Sequence, residues 1–208
     1  MNGLYAILHS SSCARLALVL SMQIISTTLS DVKLVRPDKH GDDRGWFSEI
    51  FNARSFSAAG LPDQFVQDNQ SFSRRGVLRG IHYQLGEPQG KLVRVLSGHI
   101  WDLAVDLRPD SPEFGKWEGF NLKGEDVEFL WIPEGFGHGF LVLSETANVL
   151  YKTTRYYYPA GERCLLWNDP MLGISWPLDG IGMPSISSKD AAGKLLRDAE
   201  LTQPILSK

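Results

Sequence analysis

Hydrophobic and polar residues alternate along much of the middle of the chain, and this pattern predicts β-strands. The clearest run is "WDLAVDLR", residues 101–108, where large hydrophobic residues occupy the odd-numbered positions and Asp102, Ala104 and Asp106 lie between them. The turn-forming sequence "RPDSP" predicts the end of this strand. Short strands at regular spacing are typical of a sandwich or a barrel. Further runs between turns rich in glycine and proline occupy residues 91–97, 127–144 and 147–158.

Helical patterns are few. The sequence "NARSFSAAG" predicts a short helix over residues 52–60, with Asn52 as its N-cap and Gly60 at its end. The sequence "SSKDAAGKLLRDAEL" predicts a C-terminal helix over residues 187–201, with a serine cap and an acidic first turn. We therefore expect an all-β domain with a few short peripheral helices.

Length and composition indicate one globular domain. Of the 208 residues, 43 % are hydrophobic and 22 % are charged. We expect residues 22–208 to form a single domain with a helical tail. The apolar run in residues 1–21 is too short to span a membrane. We expect these residues to be a disordered extension or the result of a start codon placed too early. The alternative is a weak targeting sequence.

Charge and cysteine content narrow the functional classes. A formal net charge of -3 argues against general electrostatic binding of nucleic acid, although it leaves room for an anionic small ligand. The two cysteines, Cys13 and Cys164, show no spacing typical of a metal site or a disulfide framework. We therefore expect a protein of the reducing cytoplasm, without a membrane or nucleic-acid partner.

The segment "GVLRGIHYQ", residues 76–84, places unusual residues in a predicted strand. Arg79 and His82 have opposite parity, so a regular strand would point them to opposite faces. Gly80 lies between them, and glycine permits a β-bulge. The sequence therefore predicts a bulge that turns both side chains into one cavity. The alternative is that His82 is a hydrogen-bonded structural residue and Arg79 belongs to a solvated outer face.

The histidines and cations of the chain also fit ordinary structural roles. His82 follows Gly80 by two residues and His138 lies between two glycines, and either histidine fits a hydrogen-bonded structural position. A metal site is not expected, because no second histidine follows His82 at ligand spacing. Cations on strands are usually solvated, but several of them around one cavity would bind phosphates. The strand cations in question are Arg44, Arg79, Lys91, Arg94 and Lys152.

Six motifs in a fixed order resemble the dTDP-4-dehydrorhamnose 3,5-epimerase family. The resemblance implies a cupin-like jelly-roll β-barrel that forms a homodimer and uses no metal and no other cofactor. It implies inversion of carbons 3 and 5 of dTDP-4-dehydro-6-deoxy-D-glucose through an enolate. The motifs are "DDRGWFSEIFN", "QDNQSFSRRGVLRGIHYQ", "GKLVRVLSGHIWDLAVDLRPDSPEFGKW", "LWIPEGFGHGF", "YKTTRYYYPAGE" and "WNDPMLGISWP".

The resemblance also implies roles for individual residues. His82 matches the catalytic base and Asp190 the aspartate that orients it. Tyr151 matches the general acid, and Lys91 matches the cation that stabilises the enolate. The alternative for Tyr151 is a tyrosine that merely lines the barrel. The residues that match substrate-binding positions are Arg44, Glu49, Gln67, Asn69, Arg79, His138, Tyr157, Glu162 and Lys189.

Some binding roles are more specific. Arginines would hold the diphosphate, and Tyr157 would stack on thymine. Arg44 and Glu49 would come from the neighbouring subunit. Four further functions stay open at this point: epimerisation at a single carbon, ketoisomerisation of a related dTDP-deoxysugar, nucleotide-sugar binding without catalysis, and metal-dependent cupin chemistry.

Overall fold

The computed structural model describes residues 22–201, and two antiparallel β-sheets dominate this part of the chain. Residues 1–21 and the last seven residues lie outside it, together with the expectations made for them. In chain order the strands are β1 (Met22–Ser26), β2 (Lys33–Pro37), β3 (His40–Asp42), β4 (Gly45–Phe47), β5 (Gln67–Arg74), β6 (Val77–Gln84), β7 (Lys91–Ser97), β8 (His99–Asp106), β9 (Trp117–Lys123), β10 (Phe129–Ile132), β11 (Phe136–Val142), β12 (Thr146–Thr153), β13 (Glu162–Cys164) and β14 (Ser185–Ile186).

The two sheets face each other as a jelly roll. The first sheet has the order β1-β2-β10-β7-β12-β5. The second has the order β13-β6-β11-β8-β9, and β14 runs parallel to β6 at its side. Strands β3 and β4 form a separate hairpin. The all-β prediction is confirmed.

Hydrophobic side chains form three clusters in the described part of the chain, one in the interior and one on the outer face of each sheet. Val93, Val149 and Leu130 of the first sheet meet Ile100 and Phe140 of the second in the interior. The outer face of the second sheet is covered as well, since the odd-numbered residues of β8 pack there against Leu165 and Trp176. Strand β8 is therefore buried almost throughout, and its two aspartates are enclosed in protein.

The short helices lie at the periphery. Helix α1 (Ala53–Ala58) has Asn52 as its N-cap, with the side-chain oxygen accepting from the backbone N–H of Arg54 at 3.0 Å. Gly60 follows with a φ of +73°, so the predicted helix is confirmed. Single 3₁₀ turns occupy Gly124–Asp126, Pro159–Gly161 and Leu196–Asp198.

The prediction of one helix over residues 187–201 is wrong. The α-helix in this range is limited to α2 (Ser188–Ala191), with Ser187 as its N-cap, and a single 3₁₀ turn follows at Leu196–Asp198. The chain then packs against the segment after β13, where the Lys194 N–H donates to the Cys164 carbonyl at 2.9 Å. A Cβ atom on Gly193 would lie 2.6 Å from the Leu165 carbonyl oxygen. This close pairing of extended backbone ends the helix after about one turn.

The predicted bulge in β6 is confirmed. On β11, His138 pairs with His82 and Phe140 pairs with Arg79, so β6 carries one more residue than its partner between the two pairs. Gly80 has a φ of +103°, and a Cβ atom there would lie 2.5 Å from the His138 carbonyl oxygen. Only glycine fits this position without displacing β11.

Candidate active site

A cavity of about 340 Å³ opens between the two sheets. Its volume is in the range of small-molecule sites. Both sheets contribute to the wall, and Arg79 and His82 both face the cavity because of the bulge. The lining residues are Gln67, Asn69, Ser71, Arg79, His82, Tyr83, Gln84, Gln89, Lys91, His138, Gly139, Phe140, Tyr151, Tyr157 and Glu162.

His82 forms a dyad with Asp190. The imidazole Nε2 lies 2.7 Å from Asp190 Oδ1, and the Gly80 N–H donates to Oδ2 at 3.3 Å. Asp190 lies in α2, where its own N–H donates to Ser187 Oγ at 3.1 Å. Burial acts to raise the pKa of Asp190, but the hydrogen bonds from His82 and Gly80 outweigh it and hold that pKa below the ordinary value. Asp190 is therefore ionised at neutral pH.

His138 forms a second dyad, with Asp102. Its Nε2 lies 2.6 Å from Asp102 Oδ1, and both side chains are buried. Burial lowers the pKa of His138, which keeps the imidazole neutral. A neutral ring that donates Nε2–H to Asp102 carries an acceptor at Nδ1.

Lys91 is a buried cation between these dyads. Its Nζ donates to the His82 carbonyl oxygen at 3.3 Å. Burial lowers the pKa of Lys91 to about 8, and the negative charges of Asp102 and Glu162 act in the opposite direction. The ammonium form therefore persists at neutral pH, with its charge in a poorly hydrated pocket.

Tyr151 faces the cavity from the other sheet. It lies on β12, opposite Asn69 of β5 and Val93 of β7. Burial raises the pKa of Tyr151, so the phenol holds its proton at neutral pH. The His82 imidazole and the protonated phenol of Tyr151 therefore face one cavity from opposite sheets.

The cavity mouth carries a polar network. Gln67 Nε2 donates to Asn69 Oδ1 at 2.8 Å, and Gln67 Oε1 accepts from the Tyr157 N–H at 2.9 Å. The Tyr157 hydroxyl donates to Glu162 Oε2 at 2.5 Å, and Lys189 forms an ion pair with the same oxygen. These contacts hold amides, an aromatic ring and a cation around the opening.

Comparison with known proteins decides the family. A family model described as dTDP-4-dehydrorhamnose 3,5-epimerase matches residues 26–198. The chain belongs to the dTDP-4-dehydrorhamnose 3,5-epimerase family. The cupin-like fold expected from the resemblance is thereby confirmed.

Individual members of the epimerase family and related enzymes are similar over most of their length. The dTDP-4-dehydrorhamnose 3,5-epimerase of Pseudomonas aeruginosa is 52 % identical over 180 residues, which cover 86 % of this chain and 98 % of that protein. The dTDP-6-deoxy-D-glucose-3,5-epimerase of Legionella pneumophila, solved with dTDP-4-keto-L-rhamnose, superposes with a TM-score of 0.84 at 47 % identity. The match covers 88 % of this chain and 98 % of that one. A 3'-monoepimerase of Streptomyces bikiniensis, solved with dTDP-quinovose, superposes with a TM-score of 0.79 at 34 % identity. The match covers 86 % of this chain and 92 % of that one.

Most residues matched to the epimerase family meet at this cavity. Asp190 and Lys189 join it through His82 and Glu162. The others that line it are His82, Tyr151, Lys91, Gln67, Asn69, Arg79, His138, Tyr157 and Glu162.

Two residues matched to the epimerase family lie elsewhere. Arg44 belongs to the β3-β4 hairpin, where it pairs with Asp42 at 2.6 Å and its side chain is 88 % exposed. Glu49 follows the hairpin and accepts from Asn52 Nδ2 at 3.2 Å. Neither residue lines the cavity of its own chain, so their assignment to a neighbouring subunit's site stays a prediction.

Sequence reasoning did not select Asp102. Its position in the alternating pattern of β8 is also that of an ordinary solvated residue. One feature of the sequence could have indicated that Asp102 is buried. Asp102 shares its strand face with Ala104, which is small and apolar and therefore atypical of an exposed strand face. Asp102 is 0 % exposed, and its Oδ2 atom has no hydrogen-bond partner among the described residues.

Proposed function

We propose that this protein epimerises dTDP-4-dehydro-6-deoxy-D-glucose at carbons 3 and 5 and releases dTDP-4-dehydro-L-rhamnose. The observation that carries the proposal is the placement of His82 and Tyr151 on opposite sheets around one cavity, with buried Lys91 between the two dyads. Inversion of a carbon needs a base on one face and an acid on the other. The similarity to the Legionella enzyme supports a dTDP-sugar as the ligand.

His82 is the proposed base. Since Nε2 is hydrogen-bonded to Asp190, Nδ1 is the nitrogen available to the substrate. It accepts a proton from the carbon next to the ketone, and the C–H electron pair moves into the enolate. The adjacent carboxylate stabilises the imidazolium that results.

Lys91 is the proposed partner of the enolate oxygen. Negative charge develops on that oxygen as the C–H bond breaks, and a nearby ammonium lowers the energy of this state. Burial strengthens the interaction because little water is present to screen it.

Tyr151 is the proposed acid. Its hydroxyl proton passes to the planar carbon on the face opposite His82, and the ketone is restored with inverted configuration. His82 then releases its proton and Tyr151 regains one from solvent, so the enzyme returns to its starting protonation state. The same cycle at the second carbon completes the reaction.

The cavity mouth is the proposed nucleotide site. Arg79, whose Nε donates to Ser73 Oγ at 3.0 Å, would pair with the diphosphate. Tyr157 is about half exposed and offers a ring face for stacking on thymine. His138 would accept a hydrogen bond from a sugar hydroxyl through Nδ1.

Proton NMR in deuterated water tests the reaction. We expect the wild-type protein to label carbons 3 and 5 and to form the L-rhamno product, and His82→Asn to label neither carbon while still binding dTDP. Exchange at wild-type rate in His82→Asn would refute the base assignment. Label at one carbon only would favour a mono-epimerase, the second candidate, which the similarity to the Streptomyces 3'-monoepimerase supports.

The NMR spectra also distinguish an epimerase from a ketoisomerase and from a binding protein. A rearranged carbonyl position would indicate a ketoisomerase, and dTDP binding without any exchange would indicate a binding protein. Loss of activity after treatment with a chelator would indicate a metal-dependent cupin enzyme, whereas the proposed mechanism predicts full activity.

We also propose a homodimer in which each chain completes its partner's site. The support is the exposed hairpin, where Arg44 stands next to Trp46 and Phe47, which are 51 % and 71 % exposed. Co-folding an inactive Arg44→Ala chain with an inactive His82→Asn chain should restore about a quarter of wild-type activity, because half the dimers are mixed and each has one intact site. No recovery would contradict the shared site.

The cytoplasm is the proposed location. Cys164 is a free thiol, as expected in a reducing compartment. No helix among residues 22–201 has the length and hydrophobicity needed to cross a membrane.

A further inference from the structure

Cys164 lies beside the catalytic dyad but has no part in the proposed mechanism. It is directly opposite His82 in the pairing of β13 with β6, and side chains of directly paired residues lie on the same face of a sheet. Among the described residues, ligand atoms of His82, Cys164 and Asp190 all lie within 4.8 Å of one another. An imidazole, a thiol and a carboxylate thus lie close together beside the cavity.

These three groups are the donors that zinc prefers in proteins. Zinc binds thiolate sulfur at about 2.3 Å and imidazole nitrogen or carboxylate oxygen at about 2.0–2.2 Å, usually in a tetrahedron. The ion would enter between His82 Nε2 and Asp190 Oδ1, which are now 2.7 Å apart and would separate by less than about 1 Å to reach that geometry. A water molecule would supply the fourth ligand from the cavity.

We propose that His82, Cys164 and Asp190 form an inhibitory binding site for Zn²⁺. On binding, the Cys164 S–H bond breaks, the proton passes to solvent and the sulfur bonds to the metal. His82 Nε2 also bonds to the metal, and the proton that it carried is lost to solvent while Nδ1 takes one up, so the ring stays neutral and Nδ1 can no longer act as the base. Asp190 Oδ1 becomes the third protein ligand. Binding itself does not depend on the proposed function. The inhibition does, because it follows from the loss of His82 as a base.

Burial and charge explain why the Cys164 thiol is unreactive in the absence of metal. Burial, together with the negative charge of Asp190, raises the pKa of Cys164 to about 12, so the thiol is protonated and unreactive at neutral pH. A divalent cation balanced by one thiolate and one carboxylate gives a set of zero net charge, which a partly buried site tolerates better than an isolated ion. Access is through the cavity, since the His82 side chain is 33 % exposed.

The test compares Cys164→Ser with Cys13→Ser, the matched change at the other cysteine. Without added metal, both variants should exchange substrate protons as the wild type does. Zinc chloride should inhibit the wild type and Cys13→Ser in the micromolar range, and Cys164→Ser should need at least ~10-fold more zinc, because a direct ligand has been removed. The chelator should restore activity fully.

A second readout is independent of catalysis. Cobalt(II) added to the metal-free wild type should give a near-ultraviolet thiolate-to-cobalt absorption band, which should be missing in Cys164→Ser and in a Cys164→Ala variant. Equal zinc inhibition of wild type and Cys164→Ser, or a cobalt band retained in both variants, would overturn the site. An inactive metal-free wild type with a normal cobalt band would instead refute the proposed function and leave the metal site standing.

Discussion

His82 and His138 lie directly opposite each other on neighbouring antiparallel strands, and each imidazole is hydrogen-bonded through Nε2 to a different aspartate. Their surroundings differ, because the His82 side chain is 33 % exposed and that of His138 is 7 % exposed. We therefore expect the substrate to reach the His82 ring through the cavity, and the buried His138 to keep one hydrogen-bonding state.

Asp190→Asn should reduce kcat by ~10²–10⁴-fold with little change in KM. The amide keeps the size of the side chain but removes the charge that stabilises the imidazolium of His82. Steady-state kinetics measure the effect. Asp68→Asn is the control, because Asp68 is on β5, pairs with Lys152 and is exposed. Equal losses of activity in both variants would contradict a specific role for Asp190.

Tyr151→Phe should separate proton exchange from inversion. His82 would still remove the proton and return a solvent deuteron to the same face, so deuterium enters with retained configuration. Inversion needs the phenol and should fall by ~10²–10⁴-fold. NMR follows label and configuration together, with the wild type as reference. Undiminished formation of the L-rhamno product would exclude Tyr151 as the acid.

The wild-type kcat should fall as the pH rises through about 8. Burial sets this pKa for Lys91, which is an ammonium ion below it and a neutral amine above it, so the enolate loses its cation on the alkaline side. Asp102→Asn removes a charge that raises the pKa of Lys91, and should move the alkaline fall to lower pH.

A pH profile of kcat for wild type, Asp102→Asn and Asp68→Asn measures this shift. Asp68→Asn should keep the wild-type profile. If Asp102→Asn lowers kcat equally at every pH, Asp102 acts on packing alone and the electrostatic explanation is wrong.

Gly80→Ala should destabilise the fold and the site together. The new Cβ atom would meet the His138 carbonyl oxygen at 2.5 Å, and the φ of +103° is strained for alanine. We expect a loss of ~1–3 kcal/mol in the free energy of unfolding, measured with urea, and a lower kcat. Gly60→Ala shares a positive φ but has open space around it, so it should cost about 1 kcal/mol and leave kcat unchanged. Equal kcat values for the two variants would contradict the role given to the bulge.

The strands and the first helix could be predicted from the local sequence. Alternation in residues 101–108 predicts a strand because side chains of extended backbone alternate between two faces. Asn52 predicts a helix start because its side chain accepts from a free N–H. The prediction of a C-terminal helix was wrong because the backbone pairing of Lys194 with Cys164 outweighs the local helix preference of residues 192–201.

The sequence by itself determined the strand pattern, the bulge at Gly80 and, through ordered motifs, the family. Only the tertiary structure decided that Asp102 faces the interior, that Cys164 stands beside the dyad and that Arg44 lies apart from the cavity of its own chain. The physical reason is that alternation shows which residues share a face, but not which face another sheet covers. Burial, pKa and proximity depend on that covering layer, and residues distant along the chain provide it.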